Sequence, residues 1–190
     1  MKYTRINQSH LIHQGLWDVM LILDACRYDY FIEEFPNYLD GNVVAVDSNA
    51  NGTAQWIRNT FTDVRLQTNY ISANPTIAKG KSSIRMPDWD FDRTFGFIYE
   101  AWKHRWNHEH HTVMAEDVND VFLNELDYPF TAVLHYIQPH MPYVGEHTIE
   151  IPTMPGIDFR KYIADNELDD DLKVAYRDNL RYVLGNVVDL

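Results

Sequence analysis

Three sets of residues in this 190-residue chain are of types that do chemistry, and each lies just past an apolar run. Asp24 closes Val19-Met20-Leu21-Ile22-Leu23, the stretch from Ser48 to Thr53 follows Val43 to Val46, and His140 follows Phe130 to Ile137, with His135 inside that run. A carboxylate at such a point is a natural ligand for a hard cation. The alternative for Asp24 is an N-cap for the next helix, a place that Asp favours. Thr53 follows Gly52 at a helix start. There the positive end of the helix dipole would favour the alkoxide that a nucleophile needs, with capping as the alternative. Ser48 is a second hydroxyl in the same loop.

His140 stands in Gln138-Pro139-His140-Met141-Pro142-Tyr143. Prolines on both sides would hold the backbone extended and present the imidazole rigidly. Such a ring binds a metal or an anionic oxygen, or hydrogen-bonds loop carbonyls. His135, inside its run, suits a satisfied core position. Arg27 follows Asp24 closely enough to reach an anion in the same crevice, with an ion pair to Asp29 or Glu33 as the alternative. Cys26 has no base nearby in sequence and reads as a small buried residue. His104, His108, His110 and His111 are interspersed with Trp102 and Trp106, and read as an exposed aromatic patch rather than a metal site.

The elements that must position these residues alternate strand and helix. Val19–Leu23 suits a fully buried parallel strand. Residues 27–35 read as a short helix stopped by Pro36, 43–46 as a second buried strand, 53–61 as a helix and 64–71 as a third strand. Residues 76–94 are polar and irregular and read as an excursion loop, long enough to be functional or mobile. Residues 95–106 read as an aromatic helix and 115–126 as an amphipathic one. Residues 130–137 read as a strand, 141–156 as loop, and 169–190 as a long helix whose opening aspartates suit its dipole. The pattern predicts one domain over residues 1–190. Its fold class is α/β, a three-layer α/β/α arrangement with a mostly parallel central sheet. In such sheets the ligand crevice lies outside the carboxyl ends of the strands, where Asp24, Thr53 and His140 would converge.

Composition narrows the partners. The chain carries 28 acidic against 16 basic residues, for a net charge of −12. Nucleic acid and an anionic membrane surface are therefore disfavoured, since both call for a basic face. The predominance of Asp over Glu and the scarcity of Lys point to a salt-adapted, halophilic source, with an ordinary acidic mesophile protein as the alternative. The single cysteine permits no internal disulfide and fits a reducing, cytoplasmic compartment. The apolar run near the N-terminus is interrupted by Asp18 and Asp24 and is too short to span a membrane. No glycine-rich phosphate loop supports a nucleotide-binding domain.

In this order the motifs resemble a family. Val19-Met20-Leu21-Ile22-Leu23-Asp24-Ala25-Cys26-Arg27-Tyr28-Asp29 is similar to the opening strand of the sulfatase-like branch of the alkaline phosphatase superfamily, which ends in D-A-x-R-x-D. Ser48 to Trp56 resembles the nucleophile motif, with Thr53 the best match. His135-Tyr136-Ile137-Gln138-Pro139-His140-Met141-Pro142-Tyr143 resembles the H-Y-x-x-P-H-x-P-Y segment. Tyr176 to Leu184, with Arg177-Asp178-Asn179-Leu180, looks like the helix that follows. The likeness covers about residues 15–190 and is nearest to archaeal sulfatase-like proteins.

The resemblance implies an alkaline-phosphatase-like topology and a metal-dependent hydrolase or transferase acting on sulfate or phosphate esters, small or glycan. Asp24 and Thr53 would hold a divalent metal ion (zinc, manganese, magnesium or calcium) and Thr53 would attack in line. His140, and with it Arg27 and His135, would bind substrate oxygens. The formylglycine signature, Cys or Ser followed by x-P-x-R, is absent, which favours Thr chemistry over that of the usual sulfatases. In the family a later strand supplies an Asp-His pair, and this sequence contains no Asp-His dipeptide. The expectation is a C-terminally truncated version of the fold. It would be completed by a second chain, or kept as a non-catalytic binding or structural module, for example in a viral or larger assembly. A protein partner or a second copy would then cover the open edge.

Overall fold

The computed structural model describes residues 6–126, 131–149, 151, 159–188 and 190. The chain begins with β1 (Ile6–Asn7) and α1 (Gln8–His13), then β2 (Val19–Leu23) and α2 (Tyr28–Glu34). Next come β3 (Val46–Asp47), α3 (Thr53–Phe61), β4 (Leu66–Ser72) and β5 (Phe95–Glu100). A short α4 (Ala101–His104) leads into the hairpin of β6 (Trp106–Asn107) and β7 (Thr112–Val113). The last elements are α5 (Ala115–Asp120), β8 (Ala132–Tyr136), α6 (Phe159–Asp165) and α7 (Asp169–Val187). The main sheet has the order β2-β8-β4-β5, and every pairing in it is parallel.

Both faces of the sheet are covered, as parallel sheets require. The central strand β8 is buried at all five positions. Its Ala132, Leu134 and Tyr136 join Ile71, Leu180, Val183 and Leu184 in a cluster with α5 and α7. Val133, on the other face, meets Trp56, Ile57 and Phe61 of α3 together with Tyr70 and Ile98. Period-two alternation in the strands and the 56/57/60/61 stripe on α3 produce this layering. The α/β class with a parallel central sheet is thus as the sequence predicts.

Several local expectations are corrected. Residues 43–46 do not form a buried strand of the main sheet. Val44 is half exposed, and only Val46–Asp47 pairs, parallel with β1 in a separate two-stranded sheet. Val19–Leu23 is parallel but lies at the sheet edge, so none of its residues is fully buried. Residues 95–100 form a strand, not a helix. An irregularity in the β4–β5 ladder between Leu66 and Asn69 puts Phe95 and Ile98 in one cluster, and that spacing of three mimics a helix. The 76–94 segment is no loose excursion, because its Ile77, Ala78, Met86 and Phe91 are at most 1% exposed. Pro36 falls inside a 3-10 turn, Phe35–Asn37, that continues α2. The helix from Ala115 opens into a π turn, Val121–Glu125, and α7 ends at Val187 rather than 190. Of the strand expected over 130–137, Phe130 lies outside the described residues, as do residue 150 and residues 152–156 of the expected 141–156 loop.

One carboxylate ties α2 to α7. Glu34 has a side chain only 4% exposed, and it accepts from Arg177 (2.8 Å) and Arg181 (2.9 and 3.1 Å). The Arg181 guanidinium, opposed by the cost of burial and helped by Arg177, holds the Glu34 carboxyl below its ordinary range. Replacing both arginines by Met strands that charge away from water. The double variant is expected to lose about 3 kcal/mol of stability in urea unfolding. A loss below about 1 kcal/mol would mean that water reaches Glu34 and that the ion cluster is not what joins the two helices.

Candidate functional site

The β2–β8 ladder runs one step past β2, with Asp24 N–H donating to Tyr136 O at 3.2 Å. The chain then breaks away through Ala25, whose φ of +57° is a left-handed conformation costly for a residue with a Cβ. The Tyr176 hydroxyl from α7 holds this turn, donating to Ala25 O (2.9 Å) and accepting from Arg27 N–H (2.8 Å). The turn leaves the Asp24 carboxylate facing α3 and the end of β4.

Asp24 does not cap α2. The residue at the N-cap is Arg27, with no side-chain cap bond. Thr53 does not cap α3 either, because Gly52 holds the extended cap position and Thr53 is the first helical residue. Their side chains meet each other instead, with Thr53 Oγ1 donating to Asp24 Oδ2 at 3.1 Å. Both capping alternatives are therefore set aside. Thr53 stands in the first turn of a nine-residue helix, where the dipole favours negative charge on its oxygen.

A third member comes from the loop after β4. Asn74 Nδ2 donates to Asp24 Oδ2 (2.6 Å) and to Thr53 Oγ1 (3.3 Å). Its amide is oriented because Oδ1 accepts from Thr76 N–H at 2.9 Å, while Ser72 Oγ brackets the Asn74 backbone. From sequence, Ser72-Ala73-Asn74-Pro75 reads as a turn after the strand expected over 64–71, with no further role for Asn74. The signal is faint, because β4 is mostly polar (Leu-Gln-Thr-Asn-Tyr-Ile-Ser) and only Tyr70-Ile71 gives it an apolar end just before Asn74.

His135 on β8 lies beneath the carboxylate and is 1% exposed. Its Nε2 stands 3.6 Å from Asp24 Oδ2, and its Nδ1 is 2.8 Å from the hydroxyl of Tyr70, which is fully buried. His140 is tied to the site through its backbone, its N–H donating to Asp24 O at 3.1 Å. The imidazole Nδ1 lies 2.7 Å from Met141 O and the ring is exposed. The segment 138–142 turns rather than running extended as expected, and both of its X–Pro bonds are cis. Asn179 of α7 clasps that turn by donating to Pro139, His140 and Pro142 carbonyls (3.1–3.3 Å). Gly145 follows the turn, packed so closely on α7 that a Cβ there would meet Asp178 backbone at 2.6 Å.

The other candidates lie elsewhere. Arg27 pairs with Asp29 at 2.6 and 3.0 Å and is largely exposed. Ser48 Oγ donates to Ala50 O. Burial, with Asp29 nearby, pushes the Cys26 thiol up to about 12, which leaves it a poor nucleophile. His104, His108, His110 and His111 are exposed on and beside the β6–β7 hairpin.

Comparison with family models, with curated proteins and with solved structures gave no match. The chemistry must therefore be argued from the cluster itself. Among the described residues no group of three or more His, Cys, Asp or Glu side chains could hold a metal ion. Asp24 and Thr53 supply one carboxylate and one hydroxyl, short of the six or so oxygens a hard cation takes or the four ligands of zinc. These residues alone do not fit a cation cage, and any further ligands would come from outside them.

Burial alone would raise the Asp24 carboxyl. The imidazoles of His135 and His140 and the Asn74 amide outweigh it, lowering the group from 3.8 to about 2. Asp24 is thus ionised throughout the neutral range and suited to accept or to ligate rather than to store a proton. A lowered folded-state value stabilises the fold above the unfolded value, and that gain disappears as pH falls through the folded one. Ionised Asp24 should contribute about 2 kcal/mol at neutral pH, lost between about pH 4 and pH 2. Urea unfolding of wild type and Asp24→Asn should show a gap of that size at neutral pH that closes at acid pH. A gap independent of pH would remove the ionised carboxylate from this role.

Proposed function

We propose that the chain carries the nucleophile half of a site for sulfate- or phosphate-ester hydrolysis or transfer, with Thr53 as the attacking residue. The observation that carries this reading is the mutual contact of Asp24, Thr53 and Asn74 at the carboxyl end of a parallel sheet. Neither Asp24 nor Thr53 is used as a helix cap. Ligand sites on such sheets occupy this position.

In this reading Thr53 Oγ1 is aimed by Asp24 and Asn74, and the first turn of α3 favours charge on it. Attack on the sulfur or phosphorus forms a Thr53 ester and expels the leaving alcohol. Water then cleaves the ester and regenerates the hydroxyl. In its imidazolium form the exposed His140 ring, with Nδ1 already on Met141 O, would donate Nε2–H to a non-bridging oxygen. The two Asn74 N–H groups stay on Asp24 and Thr53. Arg27 would join them only by releasing Asp29. A divalent ion, as the sequence resemblance implies, would supply Lewis-acid chemistry at the nucleophile oxygen. Asp24 offers it one ligand, and a partner chain or a second copy would bring the rest. The open edge of β2, apolar at all five positions, is where that chain would pair. The alkaline-phosphatase-like topology and the salt-adapted, cytoplasmic setting belong to the same reading.

The short ligand count favours a second reading, a fold of this kind kept as a binding or structural module. Turnover of an aryl sulfate and an aryl phosphate, with zinc, manganese, magnesium or calcium supplied, separates the two. On the first reading wild type hydrolyses one ester, Thr53→Ala loses about a thousandfold or more, and Thr53→Ser retains part. Equal turnover in Thr53→Ala removes Thr53 from its role. Wild type inert with every metal leaves the module reading.

A further inference from the structure

The loop that leaves the site through Asn74 differs in charge from the rest of the chain. From Val64 to Pro87 there is no Asp or Glu, whereas Arg65, Lys79, Lys81 and Arg85 all fall there. Most of the cations described elsewhere in the chain are engaged. Arg27, Arg58, Arg93, Lys103, Arg105, Lys173, Arg177 and Arg181 each pair with a carboxylate. Among the described residues Lys81 and Arg85 are exposed with no such partner, and Lys79 rests its ammonium over the Phe97 ring at 5.2 Å. Asp88, which Lys81 influences through space, is already held by Arg58. Glu100 Oε1 accepts from Lys79 N–H at 3.3 Å and Asp92 lies beside Gly80, so carboxylates border this segment. Yet none of those described pairs with the Lys81 or Arg85 side chain, and these two exposed cations form a local positive field in a chain of net charge −12.

The loop is fastened to the site. Asn74 Oδ1 accepts from Thr76 N–H, and Thr76 O in turn accepts from Ser83 Oγ at 2.7 Å. Ser83 is 2% exposed and Met86 is fully buried, yet Ile84 between them is 95% exposed. Two hydrogen bonds therefore connect the amide that touches Thr53 to a tip bearing one bare apolar side chain between Lys81 and Arg85.

We propose that residues 79–85 form a second anion subsite bordering the Asp24–Thr53–Asn74 cluster. It takes a sulfate or phosphate group other than the reacting one, on a substrate carrying several. This rests on the ester-transfer reading above. Lys81 and Arg85 meet the second anionic group, and Ile84 packs on the apolar part of the carrier. Residues 79–85 carry no aromatic side chain on which a base could stack, and the acidic remainder of the surface repels a long charged backbone. A short polyanionic chain is therefore the occupant, rather than nucleic acid.

The test titrates the intact chain with a heparin-derived oligosaccharide as a polysulfated probe, inorganic polyphosphate as a polyphosphate probe, and neutral dextran. Wild type should bind at least one polyanion, more weakly as salt rises, and not dextran; the tighter polyanion identifies the preferred group. Lys81→Gln with Arg85→Gln should weaken binding about tenfold. Lys103→Gln with Lys173→Gln removes the same charge from ion-paired positions and should change it less than about twofold. Equal weakening by both double variants, no weakening by the first, or no binding to either polyanion would overturn the proposal. So would a single-stranded oligonucleotide that displaces both probes. Turnover unchanged in Thr53→Ala beside a binding defect confined to the 81/85 variant would refute ester transfer through Thr53 and retain the anion subsite.

Discussion

Keeping a carboxylate ionised where water is largely excluded costs several kcal/mol unless polar partners replace the lost hydration. The Asp24 side chain is 17% exposed, and the architecture around it supplies those partners. Thr53 comes from α3, Asn74 from the end of β4 and His135 from β8. Two of these are neutral dipoles and the third is an imidazole beyond hydrogen-bond distance. For the three to converge, β2, β8 and β4 must be adjacent and parallel, so that their carboxyl ends emerge together. The sheet order and the site are thus one constraint seen at two scales.

Glu34 provides the contrast that gives Asp24 its meaning. Both are acids in largely buried positions, and both carboxyls are lowered. Glu34 is met by two guanidiniums, so its charge is fully compensated and its role ends with joining α2 to α7. Asp24 is met by no Lys or Arg among the described residues. The His135 and His140 imidazoles and the Asn74 amide keep it ionised with no guanidinium or ammonium upon it, beside a hydroxyl at a helix start. Stability alone would be served as well by an apolar residue there. The same α7 serves both acids: Arg177 and Arg181 hold Glu34, Tyr176 holds the Ala25 turn, and Asn179 holds the His140 turn. One helix face thereby sets the position of two of the loops around Asp24.

How much of this was legible depended on whether the signal was local. Val19–Leu23 and 130–137 are continuous apolar runs, and the strands followed from them. That Asp24, Thr53 and His140 belong together followed from a fold-level rule about strand ends. Whether Asp24 and Thr53 cap helices or face each other could not follow from either segment, because the answer lies in a contact 29 positions apart in sequence. Asn74 escaped notice because Ser-Ala-Asn-Pro is also ordinary turn chemistry, and only its side-chain partners distinguish the two uses. The 95–100 strand reads as a helix for a related reason. A ladder irregularity caused by β4 changes which β5 residues share a face, and nothing within 95–100 records it. Residues 43–46 look like a core strand because they are apolar, but the edge of the main sheet that would bury them is not paired to them.

The charge distribution completes the physical picture. A molecule of net charge −12 repels anions at long range, so a site for an anionic ester on its surface must work against the molecule's own field. An acid-free stretch of 24 residues running through Asn74 meets that difficulty locally. Over the few ångströms that separate a bound anion from its ligands, nearby cations count for far more than distant carboxylates, and salt widens the difference by screening the distant ones first. At high ionic strength the overall repulsion fades while short-range contacts persist. The acidic surface and an anion-binding site are therefore compatible, provided the cations stay unpaired and close to the site; Lys81 and Arg85, exposed without a carboxylate partner among the described residues on a loop whose neighbouring side chains are buried, meet the first condition.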